Sequence, residues 1–515
     1  MAYLLKNRKL LLSVIQNLAI VSIFLTALFY CLQGVHPYAG WGGDYAGYIT
    51  QAREFLKGNC VQPYYLYNPK QAYLSPPVYP MGYPLFISLF YRGFDNQDFI
   101  FYGQINSVLW WLSGIVLFFL LKSKFNRWPS LIVSLFWLFN PIFFQFKISL
   151  LPDVLSTLCF LLATYWYALR PHTRWYDAAI CGFFAGYAML SRFNCAMFIL
   201  VVPLHSILEY WRSKCLKQDN FALRSELQYV VILISTAVMC QLAVRLIVHL
   251  PISEGSYLDQ LKFGQFFPQL YDQFNVWVSE MMRYYQLEKE LVMLFLHEPV
   301  PAVMSLGGTL AIGFIFMGLI QTKTDTRQDR FLRLLAVMMA LLVIFWPMAQ
   351  SVRYSMPVFA LFAYFLAKGV DVIPCQTQVS AIVKWGLFPL MFAGTYHHID
   401  QSIIRMAEVQ EIGGPQFKIN QDAFDYVRNQ LPEDAIVATH QPLILGLYGQ
   451  RKSCKWYGET PEEMESFFIE KQVRYLLINN WVVESDKAIQ NYLLKNKANF
   501  DTIWQNERNV LLIRH

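Results

Sequence analysis

Trp41-Gly-Gly-Asp44-Tyr45-Ala-Gly-Tyr48-Ile-Thr-Gln-Ala52-Arg53-Glu54-Phe55-Leu56-Lys57-Gly58 follows directly on the first hydrophobic segment of the chain. Two glycines mark a turn, Asp44 stands just past them, and Tyr45, Tyr48, Ala52 and Phe55 recur at helical spacing. The pattern predicts an amphipathic helix lying against a membrane surface, with a carboxylate at its start. Taken alone, Asp44 reads as the cap of that helix, with Gly42 and Gly43 supplying the turn. The acid gains weight only if other ionisable groups reach the same face.

Composition supplies the membrane. Of 515 residues, 56% are hydrophobic and 15% charged, against roughly a quarter charged in ordinary soluble domains. Mean hydropathy is +0.32, and the chain is read as a polytopic membrane protein. An aromatic share of 17% suits many crossings of the headgroup region, so the net charge of +7 calls for no nucleic acid. The nine cysteines form no C-x-x-C pair, and several (Cys159, Cys181, Cys195, Cys240) lie inside apolar runs. Neither a disulfide framework nor a zinc site is indicated.

Lys6, Arg8 and Lys9 precede an apolar run from Leu10 to Leu32 that ends without a small-residue cleavage site, and it reads as an uncleaved anchor. Further spans are expected near 103–121, 131–149, 152–169, 177–191, 193–211, 228–250, 301–321, 334–350, 354–370 and 383–399, about eleven in all by the twenty-residue criterion. With the N-terminus inside, the basic loops carrying Lys122, Lys124, Arg127, Arg170, Arg174, Arg212, Lys214, Lys217, Lys323, Arg327, Arg330 and Arg333 are all cytoplasmic. The same count sends the loops 33–102 and 251–300, and the tail from about 400, to the outer face. No N-x-S/T sequon occurs, which favours a bacterial plasma membrane over a eukaryotic lumen.

The tail differs in character, dividing the chain into a membrane domain over 1–400 and an extracytoplasmic domain over 401–515. Asn420-Gln-Asp-Ala-Phe-Asp-Tyr-Val-Arg reads as a helix, Ala435-Ile-Val-Ala-Thr as a strand, and Thr460-Pro461-Glu462-Glu463 as a capped helix start. Tyr475-Leu-Leu-Ile478 and Val510-Leu-Leu-Ile513 read as buried strands with a helix near 485–496 between them, giving a small α/β domain. It has no Gly-rich phosphate loop.

Topology then says which polar residues share a face. Asp44 lies in the first outer loop, Pro152-Asp153 opens the fourth span, and Arg192 lies between the fifth and sixth spans. Arg353 falls between the ninth and tenth spans, and Lys147 ends the third. Two carboxylates and three cations converge on one membrane face from five parts of the chain, and ionisable groups at such depth are functional or paired. Singly, each has a plainer reading: Asp153 as a charge favoured at a helix N-terminus, and Arg192, Arg353 and Lys147 as snorkelling cations. His249, His297-Glu298 and His397-His398 also fall near this face, with no metal-ligand spacing to link them.

Asp44-Tyr45, Tyr79-Pro80-Met-Gly-Tyr83-Pro84-Leu85, Leu151-Pro152-Asp153, Leu190-Ser-Arg192-Phe193 and Arg353-Tyr354-Ser-Met-Pro357, in that order, resemble the GT-C superfamily of membrane glycosyltransferases. The branch most resembled holds the protein O-mannosyltransferases and the bacterial lipid A aminoarabinose transferases. In the tail, Leu431-Pro-Glu-Asp-Ala-Ile-Val-Ala-Thr and Tyr448-Gly-Gln-Arg451 resemble the periplasmic domain of bacterial members. The resemblance implies transfer of a sugar from a polyprenyl-phosphate donor to an acceptor on the outer face, with inversion. It makes Asp44 the general base, and Asp153 a second acid that orients the acceptor or ligates a cation. Arg353, Arg192 and Lys147 are then the candidates for the donor phosphate, and Tyr45, Tyr48, Tyr83 and Tyr354 for the walls of the acceptor or donor pocket. Some GT-C branches use a divalent cation and others do not; this sequence has no clear metal cluster.

The stretch from Gly255 to Pro299 matches no donor or acceptor signature, so glycolipid, polysaccharide and protein hydroxyl all stay open as acceptors. A transporter or lipid flippase also buries charge in its spans, but calls for internal repeats and charges at the midplane. No clear repeat is found, and the charges gather at one face. An assembly subunit that kept the fold and lost catalysis is a third reading, opposed by the intact Asp44.

Overall fold

The computed structural model describes residues 2–36, 42–59, 63–66, 79–216, 223–248, 312–322, 325–344, 352–372, 414–458, 460–479 and 486–515. The expected span near 383–399 and the outer loop 251–300 lie outside them.

The apolar runs become helices: α1 (Ala2–Leu32), α2 (Asp44–Phe55), α3 (Gly82–Ser88), α4 (Asn96–Lys122), α5 (Arg127–Leu138), α6 (Asp153–Leu169), α7 (Trp175–Ser191), α8 (Met197–Cys215), α9 (Leu223–Val248), α10 (Arg327–Ile344) and α11 (Met356–Val372). Among the described residues, five helical stretches are long and apolar enough to cross a membrane: Leu10–Leu32, Gln97–Lys122, Phe193–Cys215, Leu223–Leu246 and Arg353–Val372. They divide the work of packing. Only 17% of the first is buried while its Leu11, Leu18, Leu25 and Phe29 stand exposed, the surface of a lipid-facing helix. The last is 89% buried and forms the hub of the bundle.

Two expectations are corrected. The span near 131–149 is not one helix: α5 stops at Leu138, and Pro141–Phe144 and Gln145–Lys147 follow as short separate turns. Pro141 is the reason, since its ring lacks the N–H and crowds the carbonyl four residues back. The helix opening on Asp44 is not a half-exposed surface helix either. Thr50, Gln51 and Glu54 are buried along with Tyr45, Tyr48 and Ala52, because α3 packs on one side and a helix of the C-terminal region on another.

Close helix approaches rest on glycine. A Cβ at Gly182 would lie 2.3 Å from the Leu233 carbonyl oxygen, so α7 and α9 meet backbone to backbone. Gly318, in the helix over 312–320, and Gly369 of α11 are matched in the same way: a Cβ at Gly369 would lie 1.8 Å from the Phe314 carbonyl oxygen.

At the end of the bundle where α4 stops and α10 begins, buried charges are tied together. Lys368 bonds Asp325 at 2.6 Å and lies 3.2 Å from Asp329, which also takes Lys124 at 2.9 Å and the Tyr364 hydroxyl at 3.0 Å. Arg333 pairs with Asp325, Arg330 with Glu209 and Arg327 with Glu226. Four of the basic residues that read as topological signals are therefore also counter-ions for buried acids.

Residues 418–514 build a five-stranded sheet from β1 (Ile436–Thr439), β2 (Lys452–Cys454), β3 (Tyr475–Asn479), β4 (Phe500–Gln505) and β5 (Asn509–Arg514) in the order β2-β1-β3-β5-β4. β2, β1 and β3 are parallel, and β5 and β4 join antiparallel. Helices α12 (Lys418–Gln430), α13 (Pro442–Gly449), α14 (Pro461–Glu470) and α15 (Lys487–Lys495) accompany the strands. The sheet is fastened to the loop after α2. Tyr65 bridges to Ser453 on the β2 edge, with Leu66 N–H donating to Ser453 O at 2.8 Å and Ser453 N–H to Tyr64 O at 2.7 Å. Helix α13 packs on α2, where a Cβ at Gly43 would already meet Gln441 Oε1 at 3.1 Å.

Candidate active site

Asp44 and Asp153 are each the first residue of a helix, α2 and α6, the end at which the aligned peptide dipoles attract negative charge. The capping positions themselves are Gly43 and Pro152. The Asp44 carboxylate is engaged elsewhere: Oδ2 accepts from Arg353 Nη2 at 2.7 Å and Oδ1 from the Tyr79 hydroxyl at 3.0 Å. Asp153 Oδ2 accepts from Arg192 Nη2 at 2.7 Å. Between the two pairs lies Tyr354, with the Arg192 guanidinium 4.4 Å and that of Arg353 5.2 Å from its ring centroid. Acid, cation, ring, cation and acid thus form one row, drawn from α2, the segment leading into α11, the α7–α8 junction and α6.

The two ion pairs differ in their access to solvent. The Asp44 and Arg353 side chains are 31% and 17% exposed, whereas those of Asp153 and Arg192 are 1% and 10% exposed. The first pair stands open and the second is dry. The Nε–H groups of Arg353 and Arg192 and the amide oxygen of Asn194 are buried and make no hydrogen bond among the described residues. Asn194 holds the row from behind, donating to the Tyr354 carbonyl at 2.8 Å.

The tyrosines divide by position. Tyr354 is half-buried inside the row. Tyr48 and Tyr83 are 1% exposed and act as supports: Tyr48 packs on Tyr79 at 4.6 Å and on Tyr83 at 5.4 Å, and Tyr83 donates to Asn106 Oδ1 at 3.2 Å. Tyr45 faces Phe99 at 5.6 Å, on the side toward α4. Lys147 is not in the row. It is fully buried, and its ammonium donates to the carbonyls of Cys31 and Gln33, both at 2.7 Å, over the Phe144 ring. Its place is to close the carbonyl end of α1, where the last turn leaves oxygens unpaired.

Two residues escaped the sequence reading as site residues. Tyr79 stands in the Tyr79–Leu85 motif and Gln51 on α2, and neither carries a sequence signal for the site. Gln51 exchanges two bonds with the Tyr79 backbone, Nε2 to O at 3.2 Å and Tyr79 N to Oε1 at 3.1 Å, which sets the ring that reaches Asp44. No periodicity marks a buried glutamine; only its position one helical turn beyond Tyr48 could have drawn attention to it.

A divalent cation fits this site poorly. Each carboxylate already has an arginine as counter-ion, and among the described residues no three His, Cys, Asp or Glu side chains are grouped to hold a metal.

Residues 75–239 match the family model described as dolichyl-phosphate-mannose-protein mannosyltransferase. None of the curated proteins matches the chain by sequence. Among solved structures, ArnT from Cupriavidus metallidurans bound to undecaprenyl phosphate is similar at a TM-score of 0.54 and 12% identity, over 96% of this chain and 97% of that one. The Archaeoglobus fulgidus oligosaccharyltransferase in the apo form is similar at 0.60 and 11% identity, over 89% and 69%. The arabinofuranosyltransferase AftD from Mycobacteria is similar at 0.51 and 10%, over 96% of this chain and 39% of that one. The order of acids, arginines and tyrosines along the sequence and the path of the backbone thus lead to one result: the chain has the fold of the GT-C membrane glycosyltransferases.

Proposed function

We propose that the chain is an integral-membrane inverting glycosyltransferase that moves a sugar from a polyprenyl-phosphate donor to an acceptor hydroxyl. The acceptor is a glycolipid, a polysaccharide or a protein at the extracytoplasmic face of a bacterial plasma membrane. The N-terminus is cytoplasmic and the domain over 401–515 is outside. The observation that supports this best is the 2.7 Å contact between Asp44 and Arg353 at the open end of a row that continues into the dry Arg192–Asp153 pair.

A lipid-linked donor arrives along the bilayer, and its phosphate needs cations at the membrane surface. Arg353 and Arg192 supply them, and their unsatisfied Nε–H groups regain a partner when an anion docks. As the sugar's anomeric carbon breaks from the phosphate oxygen, the electron pair leaves with the phosphate and its charge is met by the two guanidiniums. The acceptor oxygen attacks the opposite face, and its proton passes to the Asp44 carboxylate, which Arg353 and Tyr79 hold in place. Asp153 keeps Arg192 extended toward the donor. The transporter reading has less support, because both acids stand at helix starts at one end of the bundle and none of these charges lies at a mid-span break.

Transfer of label from a panel of polyprenyl-phosphate sugars into membrane extracts tests this, comparing wild type with Asp44→Asn at matched expression. The expected result is a fall of orders of magnitude in transfer with donor binding retained. Equal transfer by the two proteins refutes the assignment of the base.

A further inference from the structure

Helix α6 carries the chain from Asp153 to Leu169, roughly 25 Å at 1.5 Å per residue. At that far end lie two neighbouring cavities that the transfer reaction does not use. One, of about 100 Å³, is lined by polar groups of Tyr167, Arg170, His172, His205 and Arg327. The other, of about 460 Å³, runs between the start of α7 and α9 beside Arg174, Gln228 and the lipid-facing side chains of Trp175, Leu227 and Val231. His172 lines both.

The polar cavity has the chemistry of a headgroup site. Glu226 and Glu209, the acids beside it, are matched by Arg327 and Arg330, so neither is left to repel an anion. Arg170 lines this cavity and Arg174 the larger one beside it; both are exposed and pair with no carboxylate among the described residues, Arg170 resting on the Trp166 ring and Arg174 bonding the Tyr176 hydroxyl. His205 is 2% exposed and borders the cavity, and its Nε2 makes no hydrogen bond, the nearest acid oxygen being that of Glu209 at 3.8 Å. When Tyr167 donates to His205 Nδ1 at 3.0 Å, the proton stands on Nε2, the nitrogen without a hydrogen-bond partner. The larger cavity continues it with apolar walls: Trp175 is 70% exposed, Val231 60% and Leu227 52%, a surface that suits an acyl chain and not water.

We propose that these cavities form a binding site for one anionic glycerophospholipid of the surrounding bilayer. Its phosphate lies between Arg170 and Arg174, its polar headgroup enters the His172–His205–Arg327 cavity, and an acyl chain lies along Trp175, Leu227 and Val231. The lipid is a bilayer component and not the sugar carrier, because the site is a helix length from the Asp44 row and opens sideways onto lipid-facing residues. Bound there, it clamps the α6–α7 turn to α9 and α10, the junction that Glu226, His172 and Arg327 already hold together.

Native mass spectrometry of the purified, delipidated full chain, titrated with dioleoyl phosphatidylglycerol, tests the site. Wild type and Arg353→Ala retain one phosphatidylglycerol. Arg170→Ala/Arg174→Ala loses it at least tenfold, and Arg170→Lys/Arg174→Lys restores part of it. Both arginines are exposed, so the variants elute and melt as wild type does. Titration with undecaprenyl phosphate distinguishes the sources: its retention depends on Arg353 and is unmoved by the double substitution. Phosphatidylglycerol retained equally by the alanine double variant overturns the site. Undecaprenyl phosphate lost from that variant, or phosphatidylcholine held as tightly as phosphatidylglycerol, overturns the occupant.

Discussion

Asn in place of Asp153 removes one charge from a pair whose side chains are 1% and 10% exposed, and leaves Arg192 in place without a counter-ion. Breaking one side of a buried pair costs about 3–5 kcal/mol, because the surviving charge stays desolvated. The Tyr354 ring 4.4 Å away faces the guanidinium in wild type and variant alike, so it offsets none of that cost. A loss on the order of 3–5 kcal/mol follows. Asp44→Asn acts on a pair 31% and 17% exposed, where water screens what is left, and about 1 kcal/mol or less is at stake. Thermal inactivation in detergent should therefore rank wild type and Asp44→Asn close together with Asp153→Asn well below. The double variant Asp153→Leu/Arg192→Leu should regain stability over the single, since removing both charges also removes the desolvation cost. Sugar transfer should rank differently, with Asp44→Asn the deepest loss per unit of folded protein. Asp44→Asn melting as low as Asp153→Asn, or a double variant less stable than Asp153→Asn, would refute the division into an open working pair and a dry supporting one.

Tyr79→Phe deletes one hydrogen bond to a charged acceptor, worth about 1.5–3 kcal/mol, and should lower kcat/KM per unit of folded protein on the order of tenfold to a hundredfold; unchanged kcat/KM would detach Tyr79 from the base. Gly369→Ala puts a methyl 1.8 Å from the Phe314 carbonyl oxygen, where backbone must move, and should cost about 1–3 kcal/mol or more, seen as reduced yield and earlier thermal inactivation. Burial alone would raise Asp325 and Asp329, but bonds from Arg333 and Lys368 to the one, and from Lys124 and Thr326 to the other, hold both below the usual carboxylate range. A depressed folded-state pKa stabilises fully above the unfolded value of about 4 and is lost as pH falls below it. Melting should stay flat from pH 8 to 5 in this respect and decline below 4, with Lys368→Met shrinking the decline.

The row of acids, arginines and Tyr354 was legible because each of its charged members borders an apolar run, and a count of basic loops places those borders on one face. Lys147 gives the same signal and lies elsewhere, since a count of faces cannot show that the end of α1 presents two carbonyls to it. Tyr79 and Gln51 were invisible for the opposite reason: a hydroxyl and an amide inside an apolar context carry no periodic mark. The cap at Thr460 with Glu463 could be read locally, because both partners lie within one turn. Lys452–Cys454 could not, being three residues long and specified by pairing with β1. The acids that neutralise Arg327 and Arg330 lie 101 and 121 residues away, beyond the reach of any local pattern.

The bond between Tyr64 and Ser453 joins residues 389 positions apart, and the one between Asp44 and Arg353 joins residues 309 apart. A chain emerging from the ribosome has made α1 and α2 long before either partner exists. Through that interval Asp44 is an acid with no cation, on a helix whose outer cover has yet to be made. The row is therefore assembled late: a chain stopped before residue 353 holds Asp44, Tyr48, Tyr83 and the Arg192–Asp153 pair, and lacks the arginine that meets Asp44. Quality control that senses an unpaired carboxylate at the bilayer edge would have that interval in which to act, and pairing with Arg353 would end it.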